Sequence, residues 1–369
     1  MNETNQAPVV VALHDQPVTI EPNNFRFKSL SSWCCNTFLG CMHACPICFA
    51  PETSANKQKG MLESFGILDP ILDWGRYLLL RPLDKQKFLA SLRKAEQTHP
   101  GLRKRDGNDA IMFCSTTDAY QVIHHAVPDE QRRFQRMARD SRRWMLEAIR
   151  DHSSLNVRVL TRSPLAAEDF DIFQSYGDRL LLGTSLPTLN PKISRIYEPK
   201  VSHPKLRLKL LTDAHAAGIH TYVAVAPVYP EVGFDGMLEV FRAVKAAEPC
   251  TVFAEPVNLR LEIAKRVQNE ARRQAELREQ EGKEVSEIEI DMTPYTDSRA
   301  WADYAIRTLR EAERAAEVAG ISDRLHLWPD HEGLTFKSVV ELQPDPVAYL
   351  AWLRGWWSRV SEWPGKTAR

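Results

Sequence analysis

From residue 84 onward, short apolar runs alternate with longer amphipathic stretches. The runs Ala110–Cys114, Asn156–Thr161, Arg179–Ser185, Ile219–Ala226 and Cys250–Glu255 read as strands, and Ser32–Phe38 precedes them as a first one. Between them, Asp84–Thr98, Asp129–Asp151, Ala166–Tyr176, Lys205–Ala217 and Gly236–Ala247 carry apolar residues at helical spacing. In the first of these helices Phe88, Leu89 and Leu92 share one face. Gly218 and Pro227 punctuate the ends of two elements. Near-continuous apolar strands separated by amphipathic helices predict a parallel sheet with helices on its outer face. Six strand–helix units are expected, giving an α/β fold of partial TIM type, a (βα)6 barrel.

Outside that core, residues 1–31 are expected to form an N-terminal arm, 32–260 the barrel, and 261–369 a mostly helical extension packed on it. Residues 50–80 read as irregular, with Pro51, Gly60, Gly66, Pro70 and Gly75 as punctuation. Residues 259–290 hold seven basic and eight acidic side chains and read as a solvated helix with same-face ion pairs. Asp297–Ala319 reads as a helix and Arg324–Trp328 as a late strand. Trp352, Trp356, Trp357 and Trp363 mark a last helix packed against the barrel.

The 369 residues are 43% hydrophobic and 26% charged, enough apolar material for a large core. Lys+Arg and Asp+Glu are both 48, so the whole chain has no general attraction for nucleic acid or anionic membrane. Arg132, Arg136, Arg139 and Arg143 share a helical face, expected to be a solvated outer one. No membrane span is expected, and the short run Val9–Leu13 lacks the length of a signal peptide; a cytoplasmic location follows as the expectation.

Five of the seven cysteines, Cys34, Cys35, Cys41, Cys45 and Cys48, fall within fifteen residues, which in a reducing compartment suggests metal rather than disulfides. Cys41-Met42-His43-Ala44-Cys45-Pro46-Ile47-Cys48 is a Cys-x3-Cys-x2-Cys loop. Cubane clusters usually take four cysteine ligands. With three, one iron stays open for an exogenous ligand, and S-adenosyl-L-methionine can fill that place through its amino and carboxylate groups. Zinc held by the three cysteines and His43 is the alternative, and Cys34 or Cys35 could supply a fourth ligand.

Further segments join this loop in order: Asn36-Thr37-Phe38-Leu39-Gly40-Cys41, Cys114-Ser115-Thr116-Thr117-Asp118, Thr161-Arg162-Ser163-Pro164-Leu165, Thr184-Ser185-Leu186, Tyr197-Glu198-Pro199 and Ala226-Pro227-Val228. Over residues 36–260 the set resembles the radical SAM superfamily, in its spore photoproduct lyase-like branch. The resemblance implies a 4Fe-4S cluster on Cys41, Cys45 and Cys48, with S-adenosyl-L-methionine contacted by Ile47, Phe49, Ser115, Thr117, Arg162, Ser185 and Ala226. It also implies a reductant such as flavodoxin or ferredoxin. Arg162 stands where the branch usually has lysine; the charge is kept and a bidentate fork gained. Ile47 and Phe49 stand where the spore enzyme has tyrosines implicated in returning a hydrogen atom, and neither carries a hydroxyl. Cys114 lies near that enzyme's hydrogen-donating cysteine, in a motif one residue longer here.

At the ends of the later strands, Glu255 and His331 are the candidate catalytic groups beside Cys114, with Asp118, Tyr120 and Asn258 as further polar residues. A radical SAM enzyme acting on a small molecule is the first expectation. Repair or modification of nucleic acid is the second, and a non-catalytic zinc or iron–sulfur protein the third.

Overall fold

A strand places successive side chains on opposite faces, so a strand that separates helices from an interior must be apolar on both. The computed structural model, which describes residues 9–258, 261–280, 282 and 290–365, shows this double burial in the expected strands. The strands are β1 (Val10–Leu13), β2 (Ile20–Pro22), β3 (Trp33–Cys35), β4 (Phe38–Leu39), β5 (Tyr77–Leu80), β6 (Ala110–Phe113), β7 (Asn156–Thr161), β8 (Leu180–Ser185), β9 (Thr221–Val228), β10 (Thr251–Pro256) and β11 (Leu325–Leu327). The large sheet has the order β11-β10-β9-β8-β7-β6-β3-β2, all parallel except the edge pair β2–β3. The late strand thus adds a seventh parallel member, Val252 to Ala254 pairing with Leu325 to Leu327.

One face of the sheet, with Ile111, Phe113, Val157, Val159, Leu180, Leu182, Val223, Val225, Val252 and Ala254, is buried in the two largest apolar clusters. Those clusters include residues of the helices Lys85–Glu96, Pro128–His152, Gly233–Val244 and Ser298–Ala319. The other face gathers Ala110, Met112, Leu181, Tyr222, Ala224, Ala226 and Phe253 with Trp363. A Cβ on Gly183 would sit 2.3 Å from the Tyr222 ring, so only glycine leaves that ring its place. Arg158, fully buried here, donates to the Leu30 carbonyl (2.9 Å) and lies over the rings of Tyr222, Phe253 and Trp363. Trp363 therefore leaves the last helix (Pro346–Ser358) and packs inside the sheet, whereas Trp352 and Trp356 both donate to Glu313 on the outside.

Three local readings need correction. The expected strand Ser32–Phe38 divides at Asn36 and Thr37: β3 stays in the large sheet, and β4 crosses to a three-stranded sheet of order β1-β5-β4. The Thr37 carbonyl accepts from the Arg81 backbone N–H, and Asn36 Oδ1 from Thr116 N–H, which turns the chain between the sheets. The stretch 50–80 is not irregular throughout, because its last four residues form β5, fully buried between β1 and β4. The Ala166–Tyr176 stretch is a 3-10 segment, Pro164–Asp169, followed by a short helix, Phe170–Gln174. No described helix is long and apolar enough to cross a membrane.

Candidate active site

The inward positions at the C-terminal ends of the strands continue the interior set: Cys114 after Met112, Arg162 after Leu160, Ser185 after Gly183, Ala226 after Ala224, and Glu255 after Phe253. All five line one cavity of 170 Å³, together with Cys41, Cys45, Cys48, Ile47, Phe49, Ser115 and Thr117. A second, larger chamber of 590 Å³ adjoins it and shares Phe25, Lys28, Phe49, Ser115, Thr116 and Asn258 with it. His331 lines neither; its ring stacks on Phe27 (4.7 Å) and packs against Trp357 (4.6 Å).

The cysteine loop is held by the segment that follows β6. Thr117 Oγ1 donates to the Gly40 carbonyl (2.8 Å), Gln121 Oε1 accepts from Met42 N–H (2.6 Å), and Asp118 Oδ2 lies 3.0 Å from His43 Nε2. Gly40 has φ +92°, and a Cβ there would lie 2.3 Å from the Tyr77 carbonyl oxygen, so the entry to the loop requires glycine. Asp118 also accepts from Thr161 Oγ1 and from the backbone N–H groups of Arg162 and Tyr120. Burial by itself would raise its carboxyl, but the His43 hydrogen bond and charge and the two backbone donors hold it below the ordinary range. Asp118, which also lines the cavity, is thus tied to four groups of the fold. Tyr120 faces away, its hydroxyl donating to buried Asp169 (3.0 Å).

Arg162 reaches the cavity from the end of β7. Its Nε donates to Glu198 Oε1 at 2.6 Å, and Glu198 Oε2 meets Arg207 Nη2 at 2.7 Å. Two guanidiniums share one fully buried carboxylate, leaving an excess positive charge whose open end is Arg162, 24% exposed along its side chain. Burial would raise the Glu198 carboxyl, yet Arg207 and Arg162 hold it below the usual value. Arg207 Nη1 also donates to the Ser185 carbonyl (2.8 Å), fixing the end of β8. Glu198 sits in a segment that resemblance singled out without giving it a role; an isolated Glu beside Pro199 gives no sign of its partners in the sequence.

At the β9–β10 contact the register slips: Ala254 faces Val225, but Pro256 faces Val228, so Glu255 stands opposite Ala226 and Pro227. A bulge of this kind re-aims side chains beside a site. Glu255 is ion-paired with Lys28, whose Nζ also lies 5.2 Å from the Trp328 ring centre. Burial raises the Glu255 carboxyl and Lys28 opposes the rise. Trp328 lines the same cavity with a buried indole N–H that has no acceptor. Cys114, at φ +61°, keeps its Sγ 3.2 Å from Thr37 Oγ1, and burial pushes its thiol up to about 12.

Cys41, Cys45 and Cys48 are free thiols, and burial is the main cause that raises each of them, Cys45 to about 12. Three such thiols ionise together only beside a strong positive centre. Among the described residues no three His, Cys, Asp or Glu side chains converge on one point as the ligands of a single metal ion. The three cysteines instead border a common void. This sulfur-rich donor set, open to the cavity, has the chemistry an iron–sulfur centre requires.

No protein-family model matches the chain. Uncharacterized protein ORF301 of Acidianus two-tailed virus is 28% identical over 226 residues, 58% of this chain and 64% of that one. An uncharacterized protein of Mycobacterium tuberculosis is 24% identical over 203 residues, 54% of this chain and 51% of that one. The matches thus span between half and two thirds of these relatives' lengths. Among solved structures, a spore photoproduct lyase mutant superposes with a TM-score of 0.55 at 14% identity, over 87% of this chain and 82% of that one. A second mutant of that lyase, with bound AdoMet and dinucleoside spore photoproduct, superposes equally well, with TM-score 0.55, 14% identity and the same 87% and 82% coverage. The chain therefore shares the fold of spore photoproduct lyase.

Proposed function

We propose that the chain is a radical SAM enzyme that holds one 4Fe-4S cluster on Cys41, Cys45 and Cys48, binds S-adenosyl-L-methionine beside it, and acts on a small-molecule substrate. The observation that carries the reading is the single cavity bordered by those cysteines and by Ser115, Arg162, Ser185 and Ala226. The sheet is read as the partial TIM-type barrel, with seven parallel strands in place of six. When bound, the cluster supplies one electron to cleave a carbon–sulfur bond of S-adenosyl-L-methionine, by default giving methionine and the 5′-deoxyadenosyl radical.

The chain's own residues bind, orient and shield. Arg162 offers a guanidinium to the methionyl carboxylate, and Glu198 fixes its direction. Ser115 and Ser185 offer short hydroxyl contacts, and the backbone at Ala226 meets the adenine. The larger chamber, lined by Asn23, Asn24, Asn36, Lys57, Arg81 and Asn258 among others, receives the substrate. Lys28, which lines both chambers, and Trp328, in the inner cavity, supply hydrogen-bond donors to that substrate. Electrons come from a reductant such as flavodoxin or ferredoxin, and the protein works in the cytoplasm.

Nucleic-acid repair is the second reading, supported by the fold likeness to a lyase solved with a dinucleoside lesion. Ile47 and Phe49 weigh against it, since neither can relay hydrogen through a hydroxyl. The deciding experiment incubates the anaerobically reduced protein with S-adenosyl-L-methionine and separates the products. 5′-Deoxyadenosine and methionine are expected. Colourless protein carrying one zinc per chain and leaving the cofactor intact would overturn the reading.

A further inference from the structure

The charged stretch after the barrel core reads in sequence as a solvated helix, and its ion pairs Glu262–Lys265 and Glu270–Arg273 fit that. Yet the helix Leu261–Gln280 buries Ile263 and Val267 in the core, which turns one face inward. Arg266 lies on that face, with only 10% of its side chain exposed. Its Nη2 donates to the Cys48 carbonyl at 2.6 Å, 218 residues away in the chain. Its Nη1 is buried with no acceptor. A guanidinium keeps its charge at any accessible pH, and an unmet buried N–H is costly. The groups around it are Glu52, 3.5 Å away, the Glu262 carbonyl, which accepts from Nε, and the thiols of Cys48 and Cys45. None of these groups accepts from Nη1, and a loaded centre would present negative sulfur beside it, on the Cys48 side.

We propose that Arg266 holds a fixed positive charge against the Cys48 side of the iron–sulfur cluster and sets its reduction potential. The inference rests on the cluster assignment made above. Reduction adds one electron to the cluster and no proton to Arg266. A neighbouring cation favours the more negative, reduced state, so removing it makes the cluster harder to reduce. Arg266 is a positioning residue that acts through the cluster and touches no substrate.

The test is an anaerobic redox titration of the reconstituted full chain without S-adenosyl-L-methionine, read by electron paramagnetic resonance, with iron counted in each sample. Arg266→Gln is expected to lower the reduction equilibrium at least about tenfold, which is ~59 mV for one electron. Arg266→Lys should restore most of the wild-type midpoint. Lys265→Gln, which removes an exposed charge from the same helix, should leave the midpoint unchanged. If Arg266→Gln loads no iron while Arg266→Lys loads fully, the same charge contact is supported through assembly. An iron-replete Arg266→Gln protein with the wild-type midpoint would overturn the inference and leave the cluster assignment standing. Equal shifts in the Gln and Lys variants would also overturn it, as packing rather than charge. A wild-type chain that binds no iron would instead bring down the cluster assignment, and this inference with it.

Discussion

His43 Nε2 lies 3.0 Å from Asp118 Oδ2, joining the middle of the cysteine loop to the segment after β6 across 75 residues of chain. The carboxylate holds four residues at once, because it also binds Thr161, Arg162 and Tyr120. Asp118→Asn should therefore loosen the loop and the end of β7 together. Since the folded carboxyl lies below its ordinary value, its contribution is fully present above the unfolded pKa of about 4 and is lost as pH falls through the folded value. Thermal unfolding from pH 7 to pH 3 should show Asp118→Asn less stable than wild type at neutral pH, with the gap closing below about pH 4. A gap that persists unchanged at pH 3 would contradict this.

Replacing Cys41, Cys45 and Cys48 together by Ala should abolish the brown colour and the bound iron, about four per chain for one cubane, while the protein stays folded. Absorption spectra and iron analysis after anaerobic reconstitution decide it. Iron retained at wild-type level would move the centre to other residues.

Arg162→Ala and Glu198→Gln should differ in kind. The first leaves Glu198 paired with Arg207 and removes the cation that faces the cavity. Affinity for S-adenosyl-L-methionine should fall by roughly 10- to 100-fold, from about 1.5–3 kcal/mol for a charge-assisted hydrogen bond, with the cluster intact. The second leaves two buried guanidiniums without a carboxylate and should cost about 3–5 kcal/mol of stability. Calorimetric binding and denaturant unfolding separate the two effects.

Gly40→Ala tests the entry to the loop. The new methyl group would overlap the Tyr77 carbonyl at 2.3 Å, and φ +92° is unfavourable for any side chain. A loss of at least about 1–3 kcal/mol is expected, together with poor iron loading. Gly60→Ala, where nothing lies within 4 Å, serves as the control that should change neither.

Duplex DNA, with or without ultraviolet treatment, should bind weakly and without a steep salt slope. Of the arginine stripe, Arg132, Arg139 and Arg143 are each ion-paired with an aspartate, so little free charge remains for phosphates. Fluorescence titration at two salt concentrations checks this. Submicromolar, strongly salt-dependent binding, or thymine released from the lesion, would favour the nucleic-acid reading.

The sequence by itself determined the alternation of strands and helices and the identity of the residues at the strand ends. Period and punctuation are local properties, and Cys41, Arg162, Ser185 and Glu255 could be picked out because each follows directly on an apolar run or a turn. Tertiary structure alone decided which of them meet. It brought Cys114, Arg162, Ser185, Ala226 and Glu255 to one cavity, and left His331 stacked on Phe27. It also recruited residues that carry no local signal. Glu198 bridges Arg162 and Arg207, Lys28 neutralises Glu255, and Arg266 returns from a charged helix to Cys48. A charged side chain looks alike in sequence whether it ends in water or against a partner. Burial and distant pairing distinguish the two, and neither is a property of the neighbouring residues. For the same reason β5 was invisible: four apolar residues make a strand only where two others, β1 and β4, lie alongside to pair with them.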